Sequence, residues 1–133
     1  MDYSWPSEKQ WAYVRSQIAC TGTVTMLNLL KYRDSADYSD HPEEQPCSGR
    51  EAYERYRKQA VPLVEAFGGR VLFAGAALPT IIGPTEKIWD EVLLVEYPSI
   101  KSFSEMAASE RYQTFAYHRT AAVEDSRLIP ARA

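Results

Sequence analysis

The sequence predicts an α+β fold with the element order strand, helix, strand, strand, helix, strand, preceded by an extra helix. Three observations carry this prediction. Apolar runs of strand length alternate with stretches that repeat every 3.6 residues. Serines stand where the helices should start, and glycines or prolines stand where elements should end. The 133 residues, 45% hydrophobic and 25% charged, suffice for one domain and hardly for two.

Ser7 and Gln10 have the spacing of a capping box, and Trp11, Val14 and Ile18 recur on one helical face. Gly22 ends that pattern, so 1–22 is read as an N-terminal helical extension and 23–131 as the core of a single domain, 1–133. Residues 23–33, TVTMLNLLKYR, read as a buried strand. Met26, Asn28, Leu30 and Tyr32 point one way, and Leu27, Leu29 and Lys31 the other. The polar stretch 34–49, with Pro42, Pro46 and Gly49, is a long loop whose length suits a lid as well as plain disorder.

Ser48 and Glu51 form a second capping box, followed by an apolar stripe of Tyr53, Tyr56, Ala60, Leu63, Val64 and Phe67. Pro62 should kink this helix, and Gly68-Gly69 should stop it. Residues 70–78 and 88–97 read as a hairpin with a long tip containing Pro79, Gly83 and Pro84. Trp89, Glu91, Leu93, Val95 and Tyr97 share one face of its second strand. Pro98 ends that strand, and Ser99 caps a helix carrying Ile100, Phe103 and Met106. Ser109 caps a further helix with a stripe of Tyr112, Phe115, Ala116, Arg119 and Val123. SRLIPA (126–131) is the last strand.

Without the extension this is the split β-α-β order of ferredoxin-like folds, with a four-stranded antiparallel sheet and both helices on one side. Leucine, valine and phenylalanine on both strand faces call for a cover on the second face too. A second copy of the chain is the simplest one, so a C2 homodimer with sheets face to face is expected.

The run Tyr53-x-x-Tyr56, Pro62, Gly68-Gly69-Arg70, Gly75, Pro98-Ser99, Tyr112 and Arg119 resembles domain-of-unknown-function family 1330, of the dimeric α/β-barrel superfamily. The resemblance covers roughly residues 23–131. It implies the fold and a homodimer and brings no particular reaction. The N-terminal helix and the 34–49 loop depart from the family pattern.

Composition narrows the function. A net charge of −3 argues against a nucleic-acid surface. No stretch approaches the roughly 18 apolar residues of a membrane span. The N-terminus lacks the regions of a signal peptide, so a cytoplasmic protein with free thiols is expected. Cys20 and Cys47, with His41 and His118, lack zinc-site spacing, and no metal is expected. Cys20 is read as a small buried residue. No P-loop, Rossmann or G-x-S-x-G pattern is present, and no cofactor is expected.

Two residues stand out as catalytic candidates. Asn28 is an amide in an apolar strand, where it would either bond a neighbouring element or orient a ligand carbonyl or oxyanion. His118 falls on a helix with Ala121, Ala122 and Asp125 at spacings of three and four, so Asp125 could orient it as a general base. A half-exposed helix histidine would give the same pattern. Arg119 is expected to pair with Asp125 or Glu124, and Arg127 to be solvated or to bind a carboxylate. Tyr32, Tyr53, Tyr56, Trp89, Tyr112 and Arg119 are the candidate pocket wall, although packed aromatics would look the same.

Three functions compete. The first is a cofactor-independent enzyme, monooxygenase- or isomerase-like, acting on an apolar or aromatic small metabolite. The second is a non-catalytic small-molecule-binding module, and the third a purely structural dimer.

Overall fold

The computed structural model describes residues 3–86 and 88–133. Met1 and Asp2, at the start of the N-terminal extension, and Lys87 lie outside the described residues. The elements are α1 (Glu8–Ser16), β1 (Val24–Tyr32), α2 (Gly49–Ala66), β2 (Arg70–Ala76), β3 (Glu91–Tyr97), α3 (Ile100–Ala108), α4 (Glu110–Gln113), α5 (Tyr117–Ala122) and β4 (Val123–Ala131). Ser7 and Ser48 close the two expected capping boxes with Gln10 and Glu51. Ser99 and Ser109 cap α3 and α4 through the amides of Ser102 and Tyr112.

The sheet has the order β2-β3-β1-β4, and each neighbouring pair is antiparallel. β1 alternates strictly between buried and half-buried positions, from Val24 to Tyr32. Its buried face lies under the helices, where two apolar clusters form. One gathers Val24, Met26, Ala60, Val64, Tyr97, Ile100, Met106, Tyr112 and Phe115. The other gathers Leu30, Tyr32, Ala52, Tyr53, Leu93, Ala122 and Val123. Val14 of α1 packs on the first, so the extension covers its own chain.

Among the described residues no helix packs on the opposite sheet face. Register places Leu27 beside Leu94 and Ile129, Leu29 beside Val92, and Phe73 beside Leu94. Phe73 and Ile129 are 51% and 47% exposed. Beyond it, the β2–β3 connection exposes Leu78, Ile81, Ile82 and Ile88.

The helical span of α2 includes Pro62. Pro62 and Lys58 are both exposed, so water can satisfy the Lys58 carbonyl that loses its donor. At Gly68, φ is +82°, the left-handed stop that ends the helix. Several expectations are corrected. The last expected helix is two short ones. Thr114, Phe115, His118 and Arg119 donate three residues back, which rewinds the turn and sets Phe115 in the core. β4 then begins at Val123, so Asp125 lies on a strand and shares no helical face with His118. α1 ends at Ser16, which leaves Cys20 exposed rather than buried. The long loop is ordered, tied at its neck by Ala36 N–H to the Cys47 carbonyl and Gly49 N–H to the Arg33 carbonyl.

Candidate functional site

The alternation of β1 inserts one polar side chain between two apolar halves of the core. Asn28 is 8% exposed, with Met26 of one cluster on one side and Leu30 of the other on the far side. Among the described residues its amide makes one long hydrogen bond, 3.5 Å to the Met26 carbonyl, against a capacity of four. Above this seam lies Tyr56, which packs on both clusters. Its hydroxyl is 2.9 Å from that of Tyr112, and its ring centroid is 5.2 Å from that of Tyr53.

Arg119 enters the seam from α5. Its guanidinium interacts electrostatically with Tyr53, Tyr56 and Tyr112. Among the described residues no carboxylate reaches ion-pair distance of it. The expected partners are engaged elsewhere, Asp125 with Arg127 at 2.6 Å and Glu124 with Lys31 at 3.3 Å. Arg119 Nη1 instead donates to the Ser4 carbonyl at 2.9 Å. Burial pushes the Tyr53 phenol up to about 12 even though Arg119 and Arg57 pull it down. Burial, with Tyr112 and Tyr53 nearby, holds Tyr56 well above the ordinary tyrosine value. Tyr53 and Tyr56 are therefore neutral donors at pH 7, beside a guanidinium with no carboxylate partner among the described residues.

Residues 3–5 close the seam. Ser126 Oγ, on buried Ser126, donates to the Tyr3 carbonyl, and the Trp5 indole stacks on Tyr112 at 6.4 Å and 24°. Trp5 in turn meets Trp11 edge-on at 5.7 Å.

Two other polar groups flank the seam. Glu91, 7% exposed, accepts from the Tyr32 hydroxyl and from Arg57 Nη2 at 2.6 Å. Arg57 also lies over Tyr53 and beside Glu54, so this is a self-satisfied ion pair apart from a buried Arg57 Nε. Burial and the Glu91 bond drive the Tyr32 phenol far up. His118 belongs to the other group, under the 34–48 loop. Its Nδ1 is 2.7 Å from the Tyr38 hydroxyl, and its Nε2 is 3.9 Å from Glu44. Glu44 also accepts from Tyr117 at 2.5 Å and pairs with Arg55 at 3.4 Å, while His41 stacks on Tyr117. Burial lowers the His118 pKa, with Glu44 opposing. The Tyr117 hydroxyl is the main cause of the lowered Glu44 pKa.

The structure thus gathers Tyr53, Tyr56, Tyr112 and Arg119 over the face that bears Asn28. Tyr32 adjoins through Tyr53, at 5.6 Å. His118 shares no hydrogen-bond partner with Asn28, because its ring is turned to the loop. Trp89 is half-buried beside Arg127, whose guanidinium lies between it and Tyr3. Sequence reasoning missed the 3–5 segment, Ser126, the loop partners of His118 and the Glu91–Arg57 pair. A signal existed for Glu91 alone: a carboxylate at an inward position of an apolar strand. Two surface concavities lie away from the seam. One, about 470 Å³, is lined by Val61, Val64, Glu65 and 68–71; the other, about 220 Å³, lies under the β2–β3 connection. Among the described residues no cluster of three histidine, cysteine or acidic side chains is placed to hold a metal, and no helix is long and apolar enough to cross a membrane.

A four-stranded antiparallel sheet of this order, with helices on one face, defines a ferredoxin-like α+β protein. Within that class, the chain belongs to the family described as Domain of unknown function (DUF1330), whose model matches residues 47–131. That match starts later than residue 23, so β1 and most of the loop lie outside it. A solved protein of unknown function from Rhodopseudomonas palustris is 36% identical, with a TM-score of 0.89. The alignment covers 100% of this chain and 98% of that one. A dimeric protein of unknown function with a ferredoxin-like fold, from Bacteroides fragilis, is 14% identical over 84% of this chain and 97% of its own, at a TM-score of 0.50. A Caulobacter crescentus protein named as a candidate antibiotic biosynthesis monooxygenase is 10% identical over 92% and 97%, also at 0.50. These last two share the fold. Among curated proteins no sequence matches this chain.

Proposed function

We propose that this protein binds an apolar or aromatic small metabolite in the polar seam and acts on it without a cofactor, as a homodimer. The observation that carries the reading is the seam itself: an amide with one long hydrogen bond lies on the core face of β1, and a guanidinium with no carboxylate at ion-pair distance among the described residues lies among the tyrosines of α2 and α4. Such groups are costly to bury and are retained where they meet a ligand. Asn28 and Arg119 would polarise a ligand carbonyl and hold the oxyanion that forms from it. Tyr56 and Tyr112 would donate to the same oxygen, and Tyr53 and Tyr32 would form the wall. His118, kept neutral by burial, is in the state a general base needs, and it reaches substrate once Tyr38 and Glu44 move aside. The monooxygenase name of one fold neighbour is compatible with such chemistry.

The open sheet face supports the homodimer, since Leu27, Leu29, Val92 and Leu94 form a continuous apolar strip. The dimeric fold neighbour points the same way. A second reading, a binding module without chemistry, draws on the engagement of His118 by the loop, which leaves the seam with donors and no base.

Native mass spectrometry tests the framework, with a dimer of twice 15.1 kDa expected. A panel of aromatic ketones and phenols should raise the melting temperature and be turned over. His118→Ala should then lose turnover and keep binding. A bound but unaltered panel favours the binding module. A protein that no member of the panel stabilises overturns both readings.

A further inference from the structure

We infer that residues 3–5 are a built-in stand-in for the ligand, and that the ligand is a flat aromatic molecule ending in a carboxylate. This rests on the seam being the binding site and adds the chemical class of what it takes.

The contacts between the seam and the segment have a direction. Arg119 Nη1 donates to the Ser4 carbonyl and Ser126 Oγ to the Tyr3 carbonyl. The core side supplies donors, and the segment supplies two oxygens from consecutive residues. A carboxylate presents two acceptors on one small group and carries the charge that a guanidinium prefers. The guanidinium bonds the Tyr53 hydroxyl and the Ser4 carbonyl, both neutral, and no carboxylate among the described residues lies at ion-pair distance to balance its charge. A ligand carboxylate would therefore displace the Ser4 carbonyl with a gain.

Beside these oxygens the segment presents an indole. Trp5 stacks on Tyr112, whose hydroxyl bonds Tyr56 over the seam. Trp5 is 45% exposed and Tyr3 is 45% exposed, so neither ring is locked into the core. The helix that follows, α1, has no buried residue. The two acceptor oxygens, the Trp5 stack on Tyr112 and Arg127 over the Tyr3 ring are among the contacts that hold the segment, and Ser4 itself is buried. An aromatic ring next to an oxygen pair is what an aryl carboxylate would offer at the same place. While the arm is seated, it lowers the apparent affinity for such a molecule by the fraction of sites it occupies.

The test uses indole-3-acetate and its neutral counterpart indole-3-acetamide, with titration calorimetry on the full chain. In Trp5→Ala, indole-3-acetate should bind about tenfold more tightly than to the wild type, and about tenfold more tightly than the amide. Arg119→Gln in the Trp5→Ala background should erase the preference for the acid, with the far-UV circular dichroism unchanged. Where that double variant does not fold, Ser126→Ala replaces it and should weaken the acid several-fold more than the amide. In the wild-type protein, saturating indole-3-acetate should shift the indole N–H resonance of Trp5. Equal binding of acid and amide, with Tyr112 still perturbed, would overturn the carboxylate inference and leave the seam as the site. Binding of neither probe to Trp5→Ala, together with no stabilisation by the aromatic ketones and phenols, would overturn the seam itself. Unchanged acid affinity between Trp5→Ala and wild type would overturn the stand-in role.

Discussion

Replacing Gly49 by alanine should destabilise the protein by about 3 kcal/mol, although helix propensity alone predicts the opposite sign. Gly49 opens α2, where alanine is favoured over glycine by roughly 1 kcal/mol. A Cβ there would stand 2.3 Å from the Arg33 carbonyl oxygen, 2.5 Å from the Ala122 carbonyl oxygen and 2.7 Å from the Arg33 nitrogen. Each contact is about an ångström inside the optimal van der Waals separation of about 3.5 Å. All three atoms are backbone and cannot rotate away. Overpacking of this kind costs about 1–3 kcal/mol. Spreading the junction also weakens two hydrogen bonds, Gly49 N–H to Arg33 and Arg33 N–H to Ala122, each contributing about 1 kcal/mol. In a chain of this size, about 3 kcal/mol lowers the melting temperature by roughly 9 °C. Urea unfolding followed by circular dichroism measures the change. Gly22→Ala is the control, because φ is +105° there with nothing within 4 Å, so only backbone strain of about 1–2 kcal/mol applies. A Gly49→Ala variant within 1 kcal/mol of wild type would refute the reasoning.

Two further outcomes are expected. His118 has a folded-state pKa below its ordinary 6.5, so the unfolded chain binds the proton more readily. Its contribution to stability is complete above pH 6.5 and is lost as pH falls through the lowered value. Melting curves between pH 7 and 5 should slope in wild type and flatten in His118→Gln, and equal slopes would contradict the burial of a neutral ring. Leu94→Arg places a charge between Leu27 and Phe73 on the open sheet face. Size-exclusion chromatography with light scattering should then read 15.1 kDa with helix content unchanged; a persisting dimer would place the interface elsewhere.

The architecture was legible where local chemistry and tertiary need coincide. The period-two pattern of β1 reads Asn28 inward, and it is inward because both neighbours at that spacing are core residues. Serine caps located four of the helix starts for the same reason: each satisfies an orphan amide that the sequence alone exposes. The break between α4 and α5 was not legible, because it depends on Phe115 reaching a core assembled from distant strands. That rewinding moved Asp125 onto β4 and turned His118 to the loop. Half of the site was legible in the same sense. Tyr53, Tyr56, Tyr112 and Arg119 lie on helical stripes that face inward. The partner of Arg119 was not, since the Ser4 carbonyl is 115 positions away and a backbone oxygen carries no compositional signal.

The loop between β1 and α2 leaves and re-enters the fold at one place. Its neck is shut by backbone bonds between Ala36 and Cys47 and between Gly49 and Arg33, and Asp37 N–H is pinned to the Ala121 carbonyl. A loop whose ends already meet behaves as a detachable insert, and doubling its length costs only about 0.6 kcal/mol in closure entropy. Yet this insert supplies Tyr38 and Glu44, the groups that hold the His118 ring. The surroundings of the histidine are therefore interchangeable in a way that the sheet is not: one cassette could be swapped for another, refurnishing His118 while every strand register stays where it is.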